Sequence, residues 1–325
     1  DEIAAHASGN NAGNLNPLFG TPAALRGDAL EAFALHRDLM AELGFTSAPA
    51  ERIHLGYEES ERQELEDIAT MFESTEGFSS RWLEGDELFR LEQGLATEFR
   101  FGVLTRGNLS VDSGDYTRAI AERALRLGVK ILLDEAIGIV TSGARVTGIR
   151  TRDGIVPCDE VVFATGPWVA DVNAWLGIDV DVEPVKGELL LMRLPEGAPK
   201  HDLIWNSAAL YRRRGDQLWI GGTMEKNGFD TAPSPACRKF LLSEAARLFP
   251  AVERAEFLDH VAALRPVPAA NQPIVARAKG WQNVTIANGG GSKGVLWSAL
   301  IAKKVCDLVM CGDSVSGAGC AALLS

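Results

Sequence analysis

The 325-residue sequence lacks a long apolar run, and none reaches the roughly 18 residues that a membrane-spanning helix requires. Cysteine is scarce and its count of five is odd. Cys306 and Cys311 are five residues apart, a spacing that suits neither a zinc ribbon nor a Cys-x-x-Cys redox pair. The five histidines show no metal-ligand spacing. We therefore predict no metal, reduced thiols and a cytoplasmic location.

Positive charge is also in short supply, because 32 Lys and Arg stand against 44 Asp and Glu, a formal net charge of −12. This balance disfavours a broad surface for nucleic acid, although a local basic patch is compatible with it. A triad hydrolase finds little support, since the last histidine, His260, lies within an apolar strand pattern. The 46% hydrophobic content is that of a globular protein with a sizeable core.

The first polar segment, Ala7–Asn14, has two interpretations. Its small residues let backbone approach a ligand closely, and its hydroxyl and amide groups can bind phosphate or polar ring edges. The alternative is a disordered chain end. The residues that would form the ligand loop are Ser8, Gly9, Asn10, Asn11, Ala12, Gly13 and Asn14.

The order of the predicted elements indicates a mixed α/β fold. Helical spacing covers residues 25–44 and 113–127, and Val129–Leu133 then alternates as a strand. The apolar run at 161–163, which leads into Ala164, Thr165 and Gly166, predicts a strand buried on both faces. Alternating segments, with one strand from Leu203 to Arg212, predict an antiparallel sheet in the second half.

A strand, a glycine loop and a helix follow one another near the end of the sequence. Residues 283–287 read as a strand, and a long helix begins at Val295. A loop in this position directs free N–H groups and the helix dipole at a ligand. The alternative is a simple glycine-rich connection. The loop residues are Gly289, Gly290, Gly291, Ser292, Lys293 and Gly294.

Arg265 is the strongest candidate for substrate binding. It follows an apolar strand and is fixed in position by Pro266. A guanidinium held there can bind a carboxylate through two hydrogen bonds, whereas the alternative is a structural arginine paired with an acid. Tyr211 lies in an alternating strand, where it either contributes a hydroxyl to the same site or packs in the core.

Taken together, these motifs resemble the FAD-dependent D-amino acid oxidase superfamily, which includes glycine oxidase, sarcosine oxidase and D-amino acid dehydrogenase. Ala7-Ser8-Gly9-x-x-Ala12-Gly13 is similar to a loop that lies along the FAD. Ala164-Thr165-Gly166-x-Trp168 is similar to a strand end that packs on the cofactor, and Ile137 falls where an apolar residue meets the adenine. Leu264-Arg265-Pro266 resembles the motif whose arginine binds the substrate carboxylate, and Gly289–Gly294 resembles the loop at the pyrimidine end of the flavin.

The resemblance implies two parts of the chain. The FAD-binding part is a Rossmann-like domain made of residues 1–45, 108–186 and 265–325. The substrate part is an antiparallel sheet from residues 46–107 and 187–264. Members of the family begin with a strand and Gly-x-Gly-x-x-Gly for the pyrophosphate. Asp1-Glu2-Ile3 resembles residues beyond that segment, so the resemblance implies an N-terminally truncated sequence, and we expect an upstream extension to be needed for tight FAD binding.

The chemistry implied by the resemblance is oxidation of a C–N bond beside a carboxylate, in a D-amino acid, glycine or a sarcosine-like amine, with non-covalent FAD. Arg265, Tyr211 and Lys293 are the candidate catalytic residues, although Lys293 can equally point to solvent. The acceptor is oxygen or, in a quinone-coupled dehydrogenase that docks on a membrane surface, quinone. The sequence Gly291-Ser292-Lys293-Gly294 is also similar to the oxidase domain of a tRNA wobble-uridine modifying enzyme. A further alternative is an inactive fragment that needs a second chain.

Overall fold

The computed structural model describes residues 2–194 and 197–311. The residues after Cys311, whose Gly/Ser/Ala-rich composition predicts a mobile tail, lie outside the described residues. None of the helices in the described part of the chain combines the length and apolar composition that a membrane span requires. The helices of the described part are α1 (Arg26–Leu43), α2 (Arg62–Glu73), α3 (Asp86–Leu91), α4 (Ser113–Arg126), α5 (Val169–Leu176), α6 (Pro235–Leu248) and α7 (Gly294–Cys311).

Local sequence explains where several helices begin and end. Helix α1 stops at Gly44, whose φ of 64° is the left-handed conformation that glycine adopts without steric cost. The Asp112 carboxylate accepts a hydrogen bond from the Asp115 N–H at the start of α4. The Ser234 hydroxyl accepts one from Cys237 at the start of α6. Side-chain caps of this kind satisfy backbone donors that the first turn leaves unpaired.

Strands are distributed over four sheets in the described residues. They are β1 (Asn14–Leu15), β2 (Ala48–Pro49), β3 (Arg52–Gly56), β4 (Ser79–Glu84), β5 (Phe101–Arg106), β6 (Leu109–Ser110), β7 (Ala136–Ser142), β8 (Arg145–Thr151), β9 (Ile155–Pro157), β10 (Val161–Phe163), β11 (Val182–Arg193), β12 (Asp202–Trp205), β13 (Ala208–Arg212), β14 (Gln217–Gly221), β15 (Glu256–Pro268), β16 (Ile274–Arg277) and β17 (Val284–Asn288).

The largest sheet has eight strands in the order β15-β11-β14-β13-β12-β3-β5-β4. One face is covered by α6 and holds a core that includes Ile53, Leu190, Leu210 and Leu241. Because side chains alternate across a strand, the neighbouring residues of these strands lie on the opposite face. That opposite face carries Arg52, His54, Tyr211, Trp219 and Arg265. We call it the site face.

A smaller sheet has the order β10-β17-β16, and β10 and β17 run parallel. Val161, Phe163, Val284 and Ile286 contribute to its core. Parallel strands end at the same edge of a sheet, so the loops after β10 and β17 begin side by side. Helix α7 starts from the second of these loops and packs against α1 through Phe33, Leu296 and other apolar residues.

The structure differs from the predicted elements at three places. Val129–Leu133 forms no strand, because no strand in the described residues pairs with it, and Leu133 remains 72% exposed. Strand β10 is not buried on both faces, since Val162 is exposed between buried neighbours. The predicted strand from Leu203 to Arg212 is two strands, β12 and β13, separated at Asn206, whose φ is 50°. The alternating pattern of residues 203–212 does not reveal the turn at Asn206 that separates the two strands.

The proposed division into an FAD-binding and a substrate part remains a prediction. The eight-stranded sheet draws on residues 52–106 and 182–268, which fall largely in the predicted substrate part. Strands β11 and β15 run without a break through the predicted boundaries at residues 186–187 and 264–265, and they pair with each other along their whole length. The two parts therefore share these long strands.

Candidate functional site

The opening loop is stabilised by its own side chains. The Asn10 side-chain amide donates to the Ala5 carbonyl at 2.9 Å, and the Asn11 side-chain oxygen Oδ1 accepts from the Gly13 N–H at 2.8 Å. Amide groups that the sequence suggested for ligand binding thus first fix the shape of the loop.

The glycines of this loop permit close contact with other backbone. A Cβ at Gly9 would lie 2.0 Å from the Ala4 carbonyl oxygen, and one at Gly13, where φ is +69°, would lie 1.8 Å from the Val111 carbonyl oxygen. The Ser113 hydroxyl also donates to the Gly9 carbonyl at 3.0 Å. These contacts dock the loop on the beginning of α4. Glycine at positions 9 and 13 is therefore required for contact with neighbouring backbone, whether or not a ligand also approaches the loop.

The loops after β10 and β17 are joined by Asn288. Its side-chain amide donates to the Gly166 carbonyl at 2.7 Å, and its side-chain oxygen accepts from the Gly289 N–H at 2.8 Å. Thr165 adds a buried hydroxyl without a hydrogen-bond partner in the described residues. The indole of Trp168 lies 5.2 Å, centroid to centroid, from the His6 ring of the opening segment. Three predicted segments are therefore brought together.

The glycine loop after β17 matches two short motifs by spacing. Residues 289–294 read Gly-x-Gly-x-x-Gly between a strand and a helix, a correspondence that the sequence reasoning missed although it was visible there. Residues 290–294 also read Gly-x-Ser-x-Gly. Ser292 is exposed, and no hydrogen bond joins it to a histidine in the described residues, so the nucleophile reading lacks its base. Nothing lies within 4 Å of a Cβ built at Gly291 or Gly294, which leaves this side of the loop open.

Lys293 does not point to solvent. Its ammonium donates to the carbonyls of Asn16 at 3.0 Å and Phe19 at 2.6 Å, and to the Thr21 hydroxyl at 2.6 Å. Burial, assisted by the positive charge of Arg52, lowers the pKa of Lys293 to about 7. All three donors are used, so this side chain fastens the glycine loop to residues 16–21.

Arg265 lies on the site face with its guanidinium against Gly187 of the adjacent strand. Nη1 donates to the Thr223 carbonyl at 2.8 Å and lies 3.4 Å from the Met224 sulfur. No carboxylate of the described residues forms an ion pair with it. Arg265 is partly buried, and the desolvation that accompanies this burial lowers its pKa. The structural alternative, an arginine paired with an acid, is therefore not what the described residues show.

Tyr211 lies on the same face. Burial raises the pKa of its phenol, and the Arg52 guanidinium stands 5.4 Å from its ring centroid. Arg52 is itself paired with Asp202 at 3.2 Å. Across the β13–β14 ladder, Tyr211 is the direct neighbour of Trp219, whose indole N–H is buried without a partner in the described residues. Tyr211 thus lies among polar and aromatic residues of the site face.

His54 is a site-face residue that the sequence reasoning did not single out. Its ring centroid lies 4.4 Å from that of Phe19 with the two planes tilted by 59°, and its Nε2 is buried with no hydrogen-bond partner in the described residues. Burial and the nearby charge of Arg52 lower its pKa to about 3, so the imidazole is neutral at ordinary pH. Polar residues at alternate positions 52 and 54 of an otherwise apolar strand were the available signal.

A second polar cluster lies on the other face, under α6. The Lys186 ammonium is 2.9 Å from the Glu188 carboxylate, and the His260 ring is 2.7 Å from the same carboxylate. Ligand atoms of Glu188, Cys237 and His260 lie within 4.8 Å of one another, as a metal site would require. Burial raises the pKa of the Cys237 thiol to about 12, and Lys186 already supplies a cation. The cluster therefore does not favour a metal.

The other predicted cofactor residues take different positions. The Ser8 carbonyl accepts from the Thr117 hydroxyl at 3.4 Å, so Ser8 lies beside α4. Asn14 lies on β1, and its side-chain oxygen is buried without a partner in the described residues. Ile137 is on β7, in the separate β7-β8-β9 sheet, with its side chain exposed.

Small-residue loops at the carboxyl ends of parallel strands, one of them leading into a helix, are how open α/β sheets bind dinucleotides. Fold and site thus define a dinucleotide-binding protein. The model of the DAO family, described as FAD dependent oxidoreductase, matches residues 1–308. The chain belongs to this FAD-dependent oxidoreductase family.

Three curated relatives illustrate the range of similar proteins. A glycine oxidase of Pseudomonas putida is 32% identical over 173 residues, which are 53% of this chain and 47% of the relative. A D-amino acid dehydrogenase of Bradyrhizobium diazoefficiens is 29% identical over 220 residues, 66% of this chain and 52% of the relative. A glycine oxidase of Geobacillus kaustophilus is 28% identical over 292 residues, 89% and 77%. The matched part spans about half the length of the first two relatives.

Solved structures share the fold over almost the whole chain. Glycine oxidase from Bacillus cereus is 25% identical with a TM-score of 0.88, covering 96% of this chain and 89% of that chain. Glycine oxidase from Geobacillus kaustophilus is 26% identical with a TM-score of 0.87, covering 96% and 86%. The mixed α/β architecture expected from the sequence is therefore confirmed.

The chemistry of the residues present is compatible with FAD. Buried polar atoms of Asn14 and Thr165 lack partners in the described residues, and open space lies over Gly166, Gly291 and Gly294. Helix α7 directs its N-terminal dipole at the same place, where negative charge is stabilised. The loops after β10 and β17 and the opening segment would hold the cofactor between them.

Proposed function

We propose that the protein oxidises the C–N bond of a small amino acid or secondary amine whose carboxylate is bound by Arg265. The observation that carries this proposal is the partly buried guanidinium without an acidic partner in the described residues. A poorly solvated cation stabilises an anion that enters beside it, and a guanidinium matches a carboxylate through two hydrogen bonds. Glycine and D-amino acids are the substrates suggested by the names of the relatives.

Arg265 would orient the substrate rather than react with it. Fixing the carboxylate places the adjacent carbon at a constant distance from the flavin-binding loops, and such positioning removes much of the entropic barrier. Tyr211 would add a hydrogen bond from the same face, since its raised pKa keeps the phenol protonated and able to donate. Lys293 would act indirectly, by holding the glycine loop against residues 16–21.

Bound, non-covalent FAD supplies the hydride acceptor, as cofactors carry such chemistry in general. The substrate amine would enter neutral, and the imine product would hydrolyse in water. No side-chain base is needed in this scheme. Loop N–H groups and the N-terminus of α7 would stabilise negative charge near them. His54, a neutral histidine of the site face, has no charge to contribute at ordinary pH.

The test is anaerobic mixing of FAD-loaded, full-length protein with glycine, sarcosine, D-alanine and L-alanine, followed by flavin absorbance. Bleaching by at least one carboxylate amine, and none by the matched amine without a carboxylate, is the expected result. Bleaching by methylamine and not by any amino acid would contradict the role of Arg265. A flavin that no amine reduces would contradict the proposed reaction.

The electron acceptor is a separate proposal. Similarity to a D-amino acid dehydrogenase as well as to glycine oxidases supports testing quinone beside oxygen. We propose oxygen as the acceptor, in the cytoplasm, so air should reoxidise the reduced flavin with one peroxide formed per amine. Slow reaction with air but rapid reaction with a soluble quinone would instead support a dehydrogenase.

A further inference from the structure

A salt bridge joins the eight-stranded sheet to the segment that supports the opening loop. Arg213 follows β13, in the hairpin between β13 and β14. Its guanidinium pairs with the Asp112 carboxylate through Nη2, and Nη1 donates to the Val111 carbonyl at 3.2 Å. The Arg213 side chain is 16% exposed. Two hydrogen bonds from one planar guanidinium fix both its position and its direction.

The segment at residues 111–113 is the part of the chain on which the opening loop lies. The Val111 N–H donates to the Gly13 carbonyl at 2.9 Å. The Ser113 hydroxyl donates to the Gly9 carbonyl at 3.0 Å. The salt bridge therefore ends on the support of a loop that the proposed function places at the flavin.

The two oxygens of the Asp112 carboxylate have different partners. Oδ1 accepts from the Asp115 N–H at 3.0 Å and caps α4, whereas Oδ2 pairs with Arg213. Burial acts to raise the pKa of this carboxyl, but the Asp115 N–H and the Arg213 charge outweigh burial and hold the pKa below its ordinary value. The carboxylate is therefore ionised at neutral pH. Because each role uses its own oxygen, a substitution can remove the ion pair and keep the cap.

The other end of the salt bridge lies beside the site face. Tyr211 of β13 precedes Arg213 by two residues. The Arg212 N–H, between them, donates to the Asp202 carboxylate at 2.9 Å. Asp202 is paired in turn with Arg52, whose guanidinium stands 5.4 Å from the Tyr211 ring centroid. The end of β13 is therefore bound on two sides, to the sheet through Asp202 and to the support of the opening loop through Arg213.

We propose that Arg213 is a positioning residue whose ion pair with Asp112 sets the separation between the opening loop and the site face. This inference rests on the proposed function, which places the flavin at that loop and the substrate on that face. Reacting groups must approach to about 3–3.5 Å, and a misplacement of about 1 Å lowers a rate about 100-fold. Loss of the pair should slow flavin reduction more than it weakens substrate binding, because Arg265 is held by Thr223 and not by this pair.

The test is anaerobic mixing of FAD-loaded, full-length protein with glycine, sarcosine or D-alanine, whichever reduces the wild type fastest. A series of concentrations gives the rate constant of flavin reduction and the dissociation constant of the amine separately. Arg213→Gln should lower the rate constant about 10- to 100-fold and leave the dissociation constant within about threefold. Asp112→Asn should have the same effect, although Asn still caps α4. The double variant should be no slower than either single variant, because all three lack the same ion pair.

Arg214→Gln is the matched control, because Arg214 is the exposed neighbour of Arg213 and forms no ion pair in the described residues. It should leave both constants unchanged. Arg213→Lys should recover part of the lost rate, since it restores the charge but not the second hydrogen bond. A measurement without turnover is hydrogen exchange of residues 9–13, which should accelerate about tenfold or more in Arg213→Gln and not in Arg214→Gln.

Three results would overturn this inference alone. They are a wild-type rate of flavin reduction in Arg213→Gln, losses in the single variants that multiply in the double variant, and unchanged hydrogen exchange of residues 9–13 in Arg213→Gln. A wild-type flavin that none of the three amines reduces would instead remove the proposed function, and this inference with it.

Discussion

The guanidinium of Arg265 rests on the Cα of Gly187, so that a Cβ built at Gly187 would stand 2.0 Å from Nη1 and 2.2 Å from Cζ. The two residues lie on the paired strands β15 and β11, near the middle of their ladder. Glycine at this position therefore sets the place of the proposed carboxylate anchor, although it carries no functional group of its own.

Gly187→Ala should displace the Arg265 guanidinium while the fold persists, because the group that must move is the end of a flexible side chain. We expect KM for carboxylate amines to rise about 10- to 100-fold, since small misplacements of an anchor are costly. Steady-state kinetics with the FAD-loaded protein measures this. Gly138→Ala, at a strand position whose nearest neighbour is 4.0 Å away, is the control. A normal KM in Gly187→Ala would show that the anchor lies elsewhere.

Arg265→Ala should lower kcat/KM for amino acids by about 100-fold or more, which corresponds to about 3 kcal/mol for the loss of a partly buried charge partner. Arg265→Lys should recover only part of this, because an ammonium makes a single point contact where a guanidinium makes two. For amines without a carboxylate, kcat/KM should change little in either variant. Unaltered kcat/KM in Arg265→Ala would remove this residue from the site.

His54 should make stability depend on pH below neutrality. Its pKa is about 3 in the folded chain and near 6.5 when unfolded. Between these values the unfolded chain binds the extra proton, so stability falls as pH falls from 6.5 toward 3, by at most about 1.4 kcal/mol per pH unit. Urea unfolding at pH 4.5–7 should show a shallower slope for His54→Leu than for the wild type. Parallel slopes would mean that this imidazole is solvated.

Lys293→Met should loosen residues 16–21. The change leaves the carbonyls of Asn16 and Phe19 and the Thr21 hydroxyl without their donor, and an unpaired buried acceptor costs about 1–3 kcal/mol. Hydrogen exchange of this segment should accelerate at least tenfold. Lys303→Met, a replacement of an exposed lysine on α7, should leave it unchanged. Equal exchange in both variants would show that the loop holds its shape without the ammonium.

Sequence patterns predicted candidate site residues where chemistry and backbone geometry act locally. Glycine loops after apolar strands, and an arginine followed by proline, can be recognised in the sequence because each motif is defined by adjacent residues. The contact of Phe229 with Trp168 and the buried position of His54 could not be predicted from the sequence, because both depend on which strands become adjacent. Phe229 meets Trp168 from 61 positions away only after the sheet has formed. The strand predicted at Val129–Leu133 was wrong for the same reason, because an alternating pattern does not show whether a neighbouring strand is present to pair with it.

The hydrogen bonds of Lys293 span 277 positions to Asn16, and His36 bonds to the Leu296 carbonyl across 260. During synthesis, a ribosome must therefore release nearly the whole described chain before residues 16–36 can contact residues 293–296. Contacts of such sequence separation form late and slowly, because chain closure must come first. A nascent chain halted before α7 would lack the hydrogen bonds of Lys293 and Leu296 to the opening segments, so the synthesis of α7 sets the earliest moment at which the candidate site can be completed.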